Sequence, residues 1–431
     1  MPLPSQPAAA VIYLYKLAST MASSPIIAGL DIGSTAIRVA VAQANAGENP
    51  QVIGLAESPS EGIHKGVVTS IDDAVSAISS CLEKVERMTG SPVEHAWVGI
   101  NGSHIQAQTS HGVIAVAKPN GEIGEDDVSR VVEAAQAVAT PPNYEILHVL
   151  PRAFTVDGQT GIKDPVGMTG VRLEVEAQII EGQTAQVKNL TKCVYRTGVD
   201  IDDLVLGILA NTEAVVTKRQ KELGVAVVNI GGATTSLLIC EDGDPLHAAI
   251  LPVGSGHITN DIAIGLRTSI DVAERLKIDY GQAVATDVGK REEIDLSEIS
   301  SEEGIVSRRH LAEIIEARLE EIFNLVEREL NKIERSGKLP AGVVLTGGGV
   351  KLPGVVDVAK REFRLPATLG YPLEVASPLE KVNDPAFSTA LGLVRWGLVQ
   401  AAGPSGFRLP RFSAVSQVLD KLKSLPKLFL P

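Results

Sequence analysis

The chain writes one short pattern twice, at widely separated places. The first copy is Ala28-Gly-Leu-Asp-Ile-Gly-Ser-Thr35, followed by the apolar run Ala36 to Val41. The second runs from Val225 to Ile239, with Asn229-Ile-Gly-Gly232 falling on Asp31-Ile-Gly-Ser34. Each copy reads as a buried strand, a tight turn at a glycine and a returning strand. One copy alone is weak evidence, because many hairpins carry an Asp and a Gly at the turn. An echo at such long spacing points to a duplicated domain and away from a short solenoid repeat. A duplicated chain of this kind folds as two lobes that present one turn each to a shared ligand. Backbone N–H groups and small hydroxyls converging at such a turn suit phosphate. Asp31 stands where a carboxylate can hold the metal that accompanies a nucleotide.

The segments around the two turns alternate in period. Gln51 to Ala56 reads as a third strand, Ile71 to Met88 as an amphipathic helix and His95 to Ile100 as a further strand. That alternation belongs to a mixed sheet with helices on it. From Gln106 to about Gly182 the texture changes to strands at Val113 to Ala117, Ile146 to Val149, Ala153 to Val156 and Leu173 to Ile180, with a helix at Asp126 to Ala139. This reads as a small inserted α+β domain. Further on, Asn189 to Thr197 is helical, Ile201 to Leu206 extended, and Thr212 to Lys221 one helix closing near Gly224. His310 to Arg335 carries an apolar stripe from Leu311 to Ile333, which reads as a core helix with a solvated charged face. Gly342 to Gly349 is an apolar strand ending in three glycines, Gly347, Gly348 and Gly349, which let a ligand approach the backbone with no Cβ in the way. Helices follow at Val355 to Phe363 and Pro385 to Val399.

Composition excludes several functions. A net charge of −13 and 3% aromatics argue against a nucleic-acid binder, since both the electrostatic footprint and the stacking platforms are missing. Cys81, Cys193 and Cys240 lie far apart and form no Cys-x-x-Cys pair, which reads as buried thiols in a reducing compartment. Eight scattered histidines add no zinc spacing. No apolar run reaches bilayer-spanning length. Residues 1–24 read as a disordered extension, with Met21 as a second plausible start.

After Val399 the composition shifts to Ala-Ala-Gly-Pro-Ser-Gly, a flexible linker over residues 401–411. Residues 412–431 then read as an amphipathic helix. Phe412, Val415, Val418, Leu419, Leu422 and Leu425 share one half of the wheel, and Lys421 and Lys423 sit at its borders. From Ser405 onward five basic residues face one acid, Asp420, in an otherwise acidic chain. A short basic amphipathic helix after a linker reads as a membrane-surface anchor, the alternatives being a helix docked on its own core or on a partner.

Three glycine turns, Asp31–Thr35, Asn229–Thr235 and Gly347–Gly349, thus follow apolar strands in order. In this the chain resembles the actin, Hsp70 and sugar-kinase superfamily. Within it, the chain resembles the FtsA family of actin-like cell-division proteins over about residues 25 to 400. The most specific stretches are Trp97-Val-Gly-Ile-Asn-Gly-Ser-His-Ile105, Ile146-Leu-His-Val-Leu-Pro151, Thr259-Asn-Asp-Ile-Ala-Ile-Gly-Leu266 and the loop Gly161 to Leu173 with Asp164-Pro165 and Met168. The resemblance implies a two-lobed α/β ATPase fold of duplicated ribonuclease-H-like domains with an inserted α+β domain. Its parts would be a first lobe at 25–105 and 385–400 (1A), the insert at 106–186 (1C), a second lobe at 187–254 and 336–384 (2A) and subdomain 2B at 255–335.

It also implies ATP with Mg²⁺ in the cleft. Gly33, Ser34 and Thr35 would cradle phosphate from one side and Gly231, Gly232, Ala233 and Thr234, with Gly254, from the other. Gly347, Gly348 and Gly349 would pack on adenosine, and Glu274 and Lys277 would reach ribose and adenine, unless they form an ordinary surface pair. Asp31, and Asn229 through water, would hold the metal. Asn229 departs from the superfamily's usual Asp, and Gly207 stands where many superfamily members carry an acid. An amide accepts a hydrogen bond but cannot act as a base, so the expectation is ATP binding with weak or absent turnover. The implied partners are FtsZ through subdomain 2B, further copies of the chain in filaments, membrane lipids and other division proteins, at the cytoplasmic face of the bacterial cell membrane at the division site. Alternatives are an FtsA-like pilus-assembly ATPase and a sugar-kinase-type enzyme.

Overall fold

A computed structural model describes residues 26–44, 49–137, 140–299 and 304–401. The expected extension 1–24, the linker beyond Ala401 and the helix 412–431 lie outside the described residues.

The chain opens with β1 (Ile26–Ile32), which returns as β2 (Ala36–Gln43) and continues as β3 (Gln51–Pro59), all antiparallel. Every residue of β1 after Ile26 is buried, because both faces of the strand are covered. A short hairpin of β4 (Ile63–His64) and β5 (Val67–Val68) leads into α1 (Ile71–Thr89). Ser70 caps that helix and Gly90 ends it at φ 72°, a left-handed stop that glycine adopts without strain. Then β6 (His95–Ile100) lies parallel to β1, with Asp31 opposite Gly99.

The insert comprises β7 (Ile105–Ala115), α2 (Glu125–Gln136), β8 (Tyr144–Val156), β9 (Gln159–Ile162) and β10 (Arg172–Gln183). Its sheet runs β7-β10-β8-β9, and α2 closes a separate core of Val131, Val132, Phe154, Leu173, Val175 and Ile179. The strands expected at 146–149 and 153–156 are one strand. A bulge between the Ala153–Glu176 and Pro151–Ala177 pairs absorbs the proline that made the sequence look broken.

Next come α3 (Thr184–Arg196) and β11 (Asp200–Leu206). Here the structure corrects the expected boundary at residue 187. β11 pairs parallel with the free edge of β6, and Val187, Leu190, Cys193 and Val194 of α3 pack in the core of the first lobe. The single helix expected over 212–221 is two. α4 (Gly207–Val215) stops at Val216, and α5 (Lys218–Leu223) restarts on a capping box in which Thr217 and Gln220 bond each other's backbone N–H.

The second lobe repeats the first. β12 (Val225–Ile230), β13 (Thr235–Glu241) and β14 (Asp244–Leu251) form an antiparallel meander. Then α6 (Ser255–Leu266), α7 (Ile270–Tyr280), the short pair β15 (Glu293–Asp295) and β16 (Ile305–Ser307), and α8 (Arg308–Lys332) build a helical flank. β17 (Val343–Thr346) pairs parallel with β12, α9 (Val355–Phe363) crosses, and β18 (Ala367–Leu369) adds parallel to β17. The two large sheets therefore run β11-β6-β1-β2-β3 and β18-β17-β12-β13-β14, the same order built twice. After a 3-10 turn at Pro385–Phe387, α10 (Ser388–Ala401) returns to the first lobe. It lies so close to β1 that a Cβ on Gly29 would stand 2.2 Å from the Ala390 carbonyl oxygen. The insert is also tied to the second lobe: the buried Gln178 amide accepts from the Ala248 N–H at 2.7 Å and donates to the Ala248 carbonyl at 3.1 Å.

Candidate functional site

The two hairpin turns face each other across a cavity of about 460 Å³ between the lobes. Each closes in the same way. The Gly33 N–H donates to the Ala36 carbonyl at 3.1 Å, and the Gly231 N–H to the Thr234 carbonyl at 2.9 Å. They meet tightly, since a Cβ on Gly232 would stand 2.4 Å from Thr35 Cγ2. Ser34 Oγ accepts the Gly66 N–H at 2.8 Å, which fixes the turn on the β4–β5 hairpin and leaves the hydroxyl proton to donate. The second turn is braced by the start of α6, where the Ser255 and Gly256 N–H groups donate to the Gly231 and Gly232 carbonyls at 2.9 and 2.7 Å.

Gly33, Ser34, Thr35, Gly231, Gly232, Ala233, Thr234, Glu274, Lys277 and the three glycines Gly347 to Gly349 all line this one cavity, together with Asp31 and Asn229. Gly254 does not. It lies behind the second turn, where a Cβ would stand 2.6 Å from the Gly231 carbonyl oxygen and 2.8 Å from the Thr234 nitrogen. Gly347 has φ 91°, and a Cβ there would be 2.1 Å from Asn229 Oδ1, so both its conformation and its neighbour require glycine. Gly348 has open space in front of it. Bare backbone lining an open cleft between two glycine turns fits a phosphorylated nucleoside.

Glu274 and Lys277 are more than a surface pair. Lys277 is buried, and its ammonium donates to Glu274 Oε2 at 2.6 Å and to Thr259 Oγ1 at 2.8 Å. Thr259 in turn donates to the same carboxylate. The two side chains are thereby held as a fixed unit on the wall of the cleft.

Asp31 is buried at the end of β1, and desolvation raises its carboxyl pKa to about 6, partly opposed by the charge of Arg38. Arg38 is shared with Glu57 at 2.7 Å and lies 5.7 Å over the Phe387 ring. Among the described residues no three His, Cys, Asp or Glu side chains cluster as a ready-made metal cage. One buried carboxylate facing a phosphate cradle suits Mg²⁺, which keeps several waters and takes much of its shell from phosphate oxygens. Asn229 faces Asp31's lobe from the equivalent strand end and brings no charge. Gly207, the first residue of α4, carries no side chain where an acid was sought.

Several cleft residues escaped the sequence reading: Arg38, Asn101, Ile278, Lys351, Asp384 and Thr389. Lys351 and Asp384 pair at 2.5 Å beside the glycine wall. Their signal was present only in part. Asn101 directly follows β6, but Asn101-Gly102 reads first as a turn.

Two lobes of repeated topology that close on paired turns define the actin-like class of α/β proteins, and solved structures agree on the fold. PilM in the PilM–PilN type IV pilus biogenesis complex superposes with a TM-score of 0.64 at 17% identity, covering 86% of this chain and 98% of that one. MreB5 of Spiroplasma citri bound to ADP gives 0.52 at 13% identity, covering 88% and 97%. Family models are more specific. The model described as the SHS2 domain inserted in FtsA matches residues 102–181, and the model of cell division protein FtsA matches residues 226–392. FtsA of Pseudomonas aeruginosa is 38% identical over 94% of this chain and 98% of its own length, that of Bacillus subtilis 38% over 90% and 88%, and that of Escherichia coli K12 31% over 86% and 90%. The chain belongs to the FtsA family of actin-like cell-division proteins. The alternatives of a pilus ATPase and a sugar kinase give way to this family, because the likeness to PilM is one of fold alone.

Proposed function

We propose that this chain works as an ATP-gated adaptor of cell division. It binds ATP with Mg²⁺ in the cleft, polymerises on the membrane, holds the FtsZ ring there through subdomain 2B (255–335) and recruits other division proteins. The observation that carries the nucleotide part is the meeting of two equivalent turns, at Thr35 and Gly232, in front of the bare glycine wall Gly347–Gly349. In this reading Asp31 holds the metal, Asn229 bonds a metal-bound water, and Lys277 and Glu274 hold the nucleoside. Turnover is slow or absent, because Asn229 cannot accept a proton and Gly207 supplies no acid. Nucleotide then acts as a shape switch for assembly.

The membrane part rests on the basic amphipathic pattern of residues 412–431. No helix among the described residues is long and apolar enough to cross a bilayer. The location that follows is the cytoplasmic face of the cell membrane at the division site. Co-sedimentation with anionic liposomes tests the anchor: the full chain pellets with the vesicles, and the chain ending at residue 411 stays in the supernatant. Equal binding of both removes the anchor from this account.

A further inference from the structure

The equivalence of the two sheets extends to the ends of their inner parallel strands. β6 lies beside β1 as β17 lies beside β12, with Gly99 opposite Asp31 and Thr346 opposite Asn229. Two residues beyond each of these pairs stand Asn101 and Gly348. Gly348 leaves its place open, with nothing within 4 Å of a Cβ. Asn101 instead carries an amide into the same cavity. Its Oδ1 is buried and has no hydrogen-bond partner among the described residues. An unmet buried acceptor costs free energy and calls for a reason.

The amide is held in place. It rests on Gly207, where a Cβ would stand 2.3 Å from Nδ2 and 2.5 Å from Oδ1. The missing side chain at Gly207 is thus the space that Asn101 fills. The Asn101 backbone packs on Gly66, whose N–H donates to Ser34 Oγ of the first turn. The side chain is therefore tied to the phosphate cradle on one side and supported from behind on the other.

The pseudo-symmetry also says what the amide faces. The nucleoside wall, formed by Gly347–Gly349 with Glu274 and Lys277, belongs to the second lobe. The two turns meet at Thr35 and Gly232. A nucleotide held on the β17 side of that meeting point sends its phosphates across it, towards the end of β6. We propose that Asn101 is the residue that reads the terminal phosphate, so that the cleft tells a nucleoside triphosphate from a diphosphate through this amide. The amide nitrogen Nδ2 donates to a phosphate oxygen, while Oδ1 stays packed against Gly207. The proposal rests on the nucleotide reading above and adds to it the group that distinguishes the two nucleotides.

The test is calorimetric titration of the full chain, in Mg²⁺, with ADP and with a non-hydrolysable ATP analogue. Wild type, Asn101→Ala and Asn101→Asp are compared. Asn101→Ala should weaken the triphosphate by about tenfold, as expected for one hydrogen bond to a charged group, and leave ADP within about twofold. Asn101→Asp keeps the volume over Gly207 but sets a negative charge beside the terminal phosphate, so it should weaken the triphosphate further than Ala does. Equal losses for both nucleotides, no loss for either, or an Asp variant that behaves like wild type would each reduce Asn101 to packing and overturn the proposal. Wild-type protein that takes neither nucleotide overturns the nucleotide reading, and this proposal with it.

Discussion

In the first lobe the turn after β1 is closed by a glycine N–H on the carbonyl three residues on, and in the second lobe the turn after β12 is closed the same way. The flanking strands pair in the same order, and each turn faces the other across the cavity. What differs is the side chain at the strand end. Asp31 is a buried carboxylate whose pKa is raised to about 6, while Asn229 is neutral and packs against Gly347. Duplication kept the backbone of the turn and let the charge diverge. In the function proposed above, binding depends on the turns and one acid and so survives that divergence, whereas fast hydrolysis needs a base and does not.

Replacing the charged member should have the largest effect. Asp31→Asn should weaken Mg²⁺-dependent ATP binding at least tenfold by titration calorimetry, since it removes the charge that holds the metal. The same change should stabilise the free protein at pH 8. A carboxyl whose pKa rises on folding keeps its proton in the native state while the unfolded chain releases it. Stability therefore falls as pH climbs from about 4 to about 6 and stays lowered above that. The shift from 3.8 to about 6 corresponds to roughly 3 kcal/mol at most. Asn does not titrate, so the gap in melting temperature between variant and wild type should open across that range. For the ligand the sign is reversed. Mg²⁺ needs the ionised carboxylate, so affinity should rise from pH 5 to 7 in wild type beyond the rise that the nucleotide itself produces in Asp31→Asn. Identical profiles in both proteins would remove Asp31 from the site.

The backbone similarity of the turns can be sharpened with alanine. A Cβ on Gly33 would stand 2.7 Å from the Ala36 carbonyl oxygen, whereas a Cβ on Gly231 would stand 3.0 Å from that of Thr234. Neither glycine has a left-handed φ, so the cost is crowding alone, of order 1–3 kcal/mol. Gly33→Ala should lower the melting temperature more than Gly231→Ala. The opposite order would show that the two turns do not relax alike.

The repeated turns were legible in the sequence because both signals are local: apolar strands of period two and glycines at fixed offsets. The allegiance of α3 and β11 was not. A parallel strand takes its partner from far along the chain, and nothing within residues 184–206 says that the edge of β6 is free. The break at Val216 was legible in principle. Thr217 and Gln220 form a capping box, but the helix-favouring residues on both sides read as one continuous helix. In the site, the glycines and Asp31 announced themselves, while Lys277 was named through the family resemblance and not by its own spacing. Its spacing to Glu274 fits any surface pair, and only burial and the bond to Thr259 distinguish it. Asn101 was hidden for a similar reason, because its role depends on the empty place at Gly207 on another strand's end.

The difference between the turns is tested most directly by single-turnover hydrolysis of labelled ATP in wild type and in Asn229→Asp, at equal occupancy of the cleft. The account predicts very slow or undetectable release of phosphate by wild type and a clear rise when a carboxylate is restored at position 229. Wild-type turnover at the rate of ordinary ATPases of this fold, or an Asp variant as slow as wild type, would contradict it.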